Sequence, residues 1–268
     1  MRLQLLPSTF EDDGTASRRQ HLTCLVIDDT VAIDAGSLAM AVTAVQRNQI
    51  RDIVLTHAHL DHIAGLPLFI DDLFSTLTEP ITVYGPGSVI ETLERDVFNW
   101  SVYPRFSELA NSHGPVLEYK VFDSGENLKI RHLSFRSIAV NHNVPSAGYV
   151  VSDGSATIAV SGDTAEMDGF WSLINSYSGM SAILLECAFP NELDELAQIS
   201  HHLTPRRLGS ELAKCSIGSE CHFYIVNMKP MYRDTIVDQL ADLGLPNLQP
   251  LEVGRVYEWG TRVPPEIT

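Results

Sequence analysis

The stretch VLTHAHLDHIAGLPLF (residues 54–69) places three histidines and an aspartate within six consecutive positions, directly after a short apolar run. That run, RDIVLT (residues 51–56), is rich in β-branched residues and leucine, the pattern of a short buried strand. If the chain stays extended past the strand, His57 and His59 point the same way, because side chains repeat every second residue. Asp61 and His62 follow the turn and can face a neighbouring point. Imidazole nitrogens and carboxylate oxygens are common donors to zinc-like ions. The hexapeptide HAHLDH can therefore hold halves of two adjacent metal sites.

Such a site needs more ligands, at strand ends on the same edge. Two positions fit: His142 closes FRSIAVNH, and Asp163 closes TIAVSGD. Strand and helix patterns alternate around them. HLTCLVID and TVAIDAG read as a hairpin turning at Asp28-Asp29, and AGYVVSDGSATIAVSGD as another turning at Asp153-Gly154. Helix patterns are predicted over residues 37–46, 65–77, 88–97, 167–177, 204–214 and 232–243. Thr204 is a plausible cap for one of these, and Gly244 ends the last. Strand pairs with interleaved helices predict a four-layer αββα sandwich, a single α/β domain over residues 1–268.

Composition bounds the partners. The formal charge is −16, with 34 acidic against 18 basic residues. Such a field repels long polyanions, so a nucleic-acid partner is disfavoured, while a small anionic substrate can approach if bound metal ions offset the acid. The N-terminus has no cationic start with a sustained apolar run, and no apolar segment approaches the ~20 residues of a membrane helix. A cytoplasmic location and no membrane partner are the expectation. Cys24, Cys187, Cys215 and Cys221 show no CxxC spacing and are expected as reduced, mostly buried thiols.

HAHLDH, His142 with NVPSAGY after it, and SGDT together resemble the metallo-β-lactamase fold superfamily, over most of the chain from LVIDDTVAIDAG onward. The resemblance implies the αββα sandwich, a site at one edge between its halves, and frequently a homodimer. It implies two divalent metal ions, zinc foremost, with manganese or iron as alternatives. His57, His59 and His142 would bind one ion, Asp61 and His62 the other, and Asp163 would bridge them. Asp34 would orient a ligand or support the hairpin. A finer resemblance is to class II cyclic-nucleotide phosphodiesterases, carried by THAHLDHIAGLPLF, FNWSVYPRF (residues 98–106), ECAF (residues 186–189) and HLTPRRL with MKP downstream. The tRNA 3′-end processing nucleases are similar as well.

These resemblances imply a metal-dependent phosphodiesterase acting on small phosphodiesters, 3′,5′-cyclic nucleotides foremost. A metal-bridging hydroxide would attack phosphorus, Asp61 would help orient it, and His202 would be the general acid. His201 is adjacent and open to the same role or to substrate contact. Trp100, Tyr103 and Phe106, in an insert over about residues 98–114, are candidates for stacking on a base, or else for packing. One departure stands out: the family's last ligand histidine would fall at Asn227, whose amide is a weaker donor. Asn227 then ligates weakly, or His201 or His202 substitutes, or the second site is empty. The alternatives are a tRNA-processing-type nuclease, a lactone, thioester or β-lactam hydrolase, and a metal- or nucleotide-binding protein without catalysis.

Overall fold

Strand alternation sorts the apolar residues of this chain into an inner core and two outer ones. In Leu25–Ile27 and Val31–Ile33 the outer residues of each triplet (Leu25, Ile27, Val31, Ile33) join the cluster that also holds Phe135, Tyr149, Val160 and Leu184 of the second half. The middle residues, Val26 and Ala32, join a different cluster with Phe69, Ile70 and Leu93. Both faces of these strands are buried, so their sequence is continuously apolar.

The computed structural model describes residues 1–218 and 220–260. Five strands of the first half are β1 (Arg2–Leu5), β2 (Leu25–Ile27), β3 (Val31–Ile33), β4 (Asp52–Val54) and β5 (Ile81–Gly85). A small hairpin, β6 (Ala110–Asn111) and β7 (Gly114–Pro115), precedes β8 (Leu117–Val121). The second half supplies β9 (Asn127–Ile130), β10 (Leu133–Ala139), β11 (Ala147–Ser152), β12 (Thr157–Val160), β13 (Ala182–Glu186), β14 (His222–Val226) and β15 (Leu248–Pro250). The last strand, β16 (Val256–Glu258), returns to pair antiparallel with β1. Two seven-stranded sheets result, ordered β16-β1-β2-β3-β4-β5-β8 and β15-β14-β13-β12-β11-β10-β9.

Helices cover the outer faces. The first half carries α1 (Leu38–Ala41), α2 (Ala44–Gln49), α3 (Leu60–Ile63), α4 (Gly65–Leu73) and α5 (Gly87–Thr92). The second carries α6 (Asp168–Ile174), α7 (Asp194–Ile199), α8 (Pro205–Leu212) and α9 (Arg233–Ala241). The four-layer αββα sandwich is therefore present. Both expected hairpin turns form, with Asp28, Asp29 and Gly154 in the left-handed region. Thr204 caps α8 by accepting from the Arg207 amide, and Gly244 follows α9 in the left-handed region.

One expectation needs correction. The helix foreseen over residues 37–46 is two pieces, because Val42 is extended and Thr43 opens α2 with a reciprocal capping box to Gln46. The first and last strands of the first sheet, β1 and β16, have too short a pattern to be foreseen. Cys24, Cys187 and Cys221 are buried, Cys215 is half-buried, and all four are free. Among the described residues no helix is long and apolar enough to cross a membrane.

Candidate metal centre

The parallel runs β3-β4-β5 and β12-β13-β14 end at a common edge, where the halves meet: the Ala147 amide donates to Thr56 O, and Tyr149 Oη to Leu55 O. Each chemically active side chain lies at or just beyond a strand end. Asp34 follows β3, His57 lies three residues past β4, and Asp163 three past β12. Glu186 closes β13, and Asn227 follows β14. Loop ends on a rigid scaffold are where such groups can be presented.

His57 and His62 are fully buried, and their Nε2 atoms find no hydrogen-bond partner. Uncompensated buried polar atoms are costly, so two in one place call for an electrophile. Their Nδ1 atoms are fixed by Asp34. A carboxylate only accepts, so the Thr56 hydroxyl, 2.9 Å from Asp34 Oδ2, must donate to it. That leaves the Thr56 oxygen to accept from His57 Nδ1 at 3.0 Å, and Asp34 Oδ2 accepts directly from His62 Nδ1 at 2.7 Å. Both Nε2 atoms are thereby turned toward Asp163, whose Oδ2 lies 3.9 Å from His57 Nε2 and 3.4 Å from His62 Nε2; a metal ion there would take the place of a proton on His62. Asp34 thus does the orienting work foreseen for it, from a left-handed backbone position (φ 60°).

His142 is set in the same way. Its Nδ1 donates to the His201 carbonyl at 3.0 Å, so its Nε2 faces His59 Nδ1 at 3.1 Å. A proton on His59 Nδ1 would close this contact as a hydrogen bond; with that proton on Nε2 instead, the two facing nitrogens can share a cation. Donor atoms of His57, His59 and His142 lie within 4.8 Å of one another, as do those of His57, His62 and Asp163. Burial pushes His57 well below the ordinary imidazole range and His142 down to about 4, so both are neutral and able to ligate. Burial would lower His62, but Asp163 and Asp34 outweigh it and hold His62 well above the ordinary imidazole range; in turn the His62 charge outweighs burial at Asp163 and keeps that carboxylate ionised. The donor set fits divalent metal ions.

Asp61 and Asn227 behave differently. Asp61 is not within this cluster; its Oδ2 accepts from Lys229 Nζ at 3.3 Å. Asn227 is buried at φ 53°, a conformation that asparagine tolerates, and its amide donates to Asp163 Oδ1. The structure therefore brings Asn227 to the expected place, with its donor Nδ2 turned to the shared carboxylate.

His202 is buried beside Phe189 and His142. Its Nδ1 donates to Glu186 Oε1 at 2.7 Å. Burial alone would lower its pKa, but the Glu186 carboxylate outweighs this and holds it above the ordinary range. Glu186 is fully buried, and burial raises its own pKa against the pull of His202. Its oxygens also accept from the amides of Thr164, Ala188 and Leu203. Sequence reasoning quoted ECAF without giving Glu186 a role. The available signal was one carboxylate closing the otherwise apolar run SAILLE. His201 serves mainly as backbone: it sits at φ 53°, offers its carbonyl to His142, and its ring bonds Asn141 Oδ1 at 2.9 Å.

The aromatic insert is placed elsewhere. Phe106 is buried against Phe74, Phe98 and Tyr103, and Tyr103 Oη donates to Asp71 in α4. Trp100 is 57% exposed. None of the three touches the histidines in the described contacts. Tyr103 and Phe106 are packing residues rather than stacking platforms, because the cluster under α4 needed the apolar volume.

An αββα sandwich with histidines and a shared aspartate at one strand edge defines the metallo-β-lactamase fold class. The chain belongs to the beta-lactamase superfamily domain family, whose model matches residues 27–218. Curated relatives include a ribonuclease Z of Clostridium beijerinckii, 31% identical over 44% of this chain and 38% of that protein. A probable 3′,5′-cyclic-nucleotide phosphodiesterase of Yersinia pestis is 25% identical over 63% of this chain and 52% of that protein. The match thus spans about half or less of these two relatives. Among solved structures, unliganded yeast PDE1 superposes with a TM-score of 0.75 at 18% identity, covering 95% of this chain and 98% of that one. Human tRNase Z, short form, gives 0.66 at 15% identity, covering 97% and 100%. These likenesses show the fold.

Proposed function

We propose that this chain is a metal-dependent phosphodiesterase acting on small phosphodiesters, 3′,5′-cyclic nucleotides foremost, with His202 as general acid. The observation that carries the reading is the Glu186–His202 pair beside the histidine–aspartate cluster: a buried, carboxylate-oriented imidazole next to a metal-competent donor set. A relative named as a cyclic-nucleotide phosphodiesterase supports the same chemistry.

His57, His59 and His142 would hold one ion and His62 and Asp163 a second, with Asn227 and, once turned from Lys229, Asp61 at its margin; zinc suits the donors, with manganese or iron as alternatives. When bound, such ions lower the pKa of a coordinated water and take up charge on phosphoryl oxygens. Asp34 keeps two ring nitrogens aimed at the centre through the Thr56 hydroxyl and His62 Nδ1. The His201 carbonyl does the same for His142. Glu186 holds the proton of His202 Nδ1, which leaves Nε2 to carry the proton delivered to the leaving ribose oxygen. The charge of −16 weighs against long polyanions as the main substrate.

The test is a panel assay with zinc, manganese or iron: cyclic purine and pyrimidine nucleotides, cyclic dinucleotides, bis(p-nitrophenyl) phosphate and precursor tRNA. The expected outcome is turnover of cyclic nucleotides well above that of precursor tRNA. Preferred cleavage of precursor tRNA would establish the nuclease reading instead. Nucleotide binding with no turnover at any metal would make the chain a binding protein.

A further inference from the structure

A cleft opens beside Asn227, between the N-terminal loop over residues 6–24 and the segment after β14. Its cavity, about 370 Å³, is lined by Arg18, Asn227, Met228, Arg233 and Glu252 among others. A second cavity of about 810 Å³ continues from it and shares Ala16, Arg18 and Arg233, with Arg19 and His21 further along. The first volume lies within the range of small-ligand sites.

The loop forming one wall is tied down. Gln20 Nε2 donates to the carbonyls of Leu6 and Leu22, each at 2.6 Å, and the Thr23 amide donates to Asp61 O at 2.8 Å. The loop that carries Arg18 is thus tied to the backbone of the histidine run, and Asn227, which lines the cleft, bonds Asp163 of the candidate metal centre.

The cations in this cleft lack strong partners. In a chain with 34 acidic and 18 basic residues most guanidinium groups find a carboxylate. Arg2, Arg131, Arg207 and Arg255 all do, within 2.7 Å. Arg18 has no such partner among the described residues. Arg233 is only 19% exposed, yet its one ion pair is a 3.3 Å contact to the 98% exposed Asp234. The acids facing the cleft are Glu252, already paired with Arg255 at 2.7 Å, and the exposed Glu11 and Asp234. A guanidinium fork matches a phosphate in two parallel hydrogen bonds.

We propose that this cleft is a subsite for a second phosphate group on the substrate, a phosphomonoester held between Arg18 and Arg233 while the diester lies at the metal centre. The inference deepens the phosphodiesterase reading and rests on it for the position of the diester. Among small phosphodiesters, those bearing a further terminal phosphate would then bind more tightly than plain 3′,5′-cyclic nucleotides, which lack one.

The test compares thymidine 5′-(p-nitrophenyl phosphate) with the same ester carrying a 3′-phosphate, using metal-loaded protein. The scissile bond is identical in the two. The expected result is a KM at least tenfold lower for the 3′-phosphorylated ester, shrinking to twofold or less in Arg18→Gln/Arg233→Gln, and shrinking likewise as ionic strength rises. Equal KM values in the wild type, or a ratio that survives both substitutions, overturn the subsite. Arg18→Gln alone, at an exposed position, gives the same readout should the double variant unfold. If neither ester is cleaved, the phosphodiesterase reading fails. Calorimetric binding of thymidine 3′,5′-bisphosphate against thymidine 5′-monophosphate then decides the cleft separately: an Arg-dependent preference for the bisphosphate supports it, and equal affinity rejects it.

Discussion

At the scale of single residues, the chemistry depends on which ring nitrogen is free, and that is set by neighbours outside the cluster. His202 is the sharpest case. Replacing it with alanine should lower turnover of a diester with an alkyl leaving group by ~10²–10⁴-fold and that of a nitrophenyl ester far less. Glu186→Gln retains a hydrogen-bond acceptor but removes the charge, so a smaller loss with the same substrate dependence is expected. Equal losses on both esters in steady-state kinetics would remove His202 from the acid role. Asn227 is the other case. Its left-handed backbone conformation is one that histidine also adopts, so Asn227→His can offer an imidazole at this position. Metal titration against a competing chelator should then show tighter binding of the second equivalent. A wild type that already holds two ions tightly, with no gain from histidine, contradicts a weakened site.

At the scale of elements, the histidine run owes its shape to glycine. A Cβ at Gly36 would sit 2.0 Å from Asp61 O and 2.7 Å from the Thr23 amide, so no side chain fits where the three backbone segments cross. Gly36→Ala should shift the Asp61 loop and destabilise the fold by at least ~1–3 kcal/mol, as overpacking does. The measurements are Tm and metal content per chain, and both should fall. An unchanged Tm with full metal content would mean that the loop is not held by this close approach. The same elements show what was legible in the sequence. His57, His59, His142 and Asp163 could be found because strand ends are legible and the donors sit there. Glu186 was passed over because a buried carboxylate at a strand end looks like any polar terminus until its partner, sixteen residues on, is seen beside it. The helix foreseen over residues 37–46 breaks at Val42 because the Thr43–Gln46 cap overrides a continuous helical pattern. Phe106 carried equal signals for stacking and packing, and only the surrounding Phe74, Phe98 and Tyr103 decide for packing.

At the scale of the molecule, the two sheets share one core and present one edge, so candidate metal donors from residues 57 to 163 meet without any long-range signal in composition. The pairing of β16 with β1 ties the chain's end to its beginning, a contact that no local pattern announces. A net charge of −16 opposes the approach of long polyanions, and the proposed cleft would offer local cations to small ones. The most direct measurement is a titration of metal-free protein with zinc or manganese, following bound metal and hydrolysis of bis(p-nitrophenyl) phosphate together, in the wild type and in His59→Ala and His142→Ala. Activity should rise in step with bound metal and be lost, along with tight binding, in both variants. Hydrolysis that persists in a chelator, or tight metal binding with no diester hydrolysis, would contradict a phosphodiesterase built on this histidine–aspartate edge.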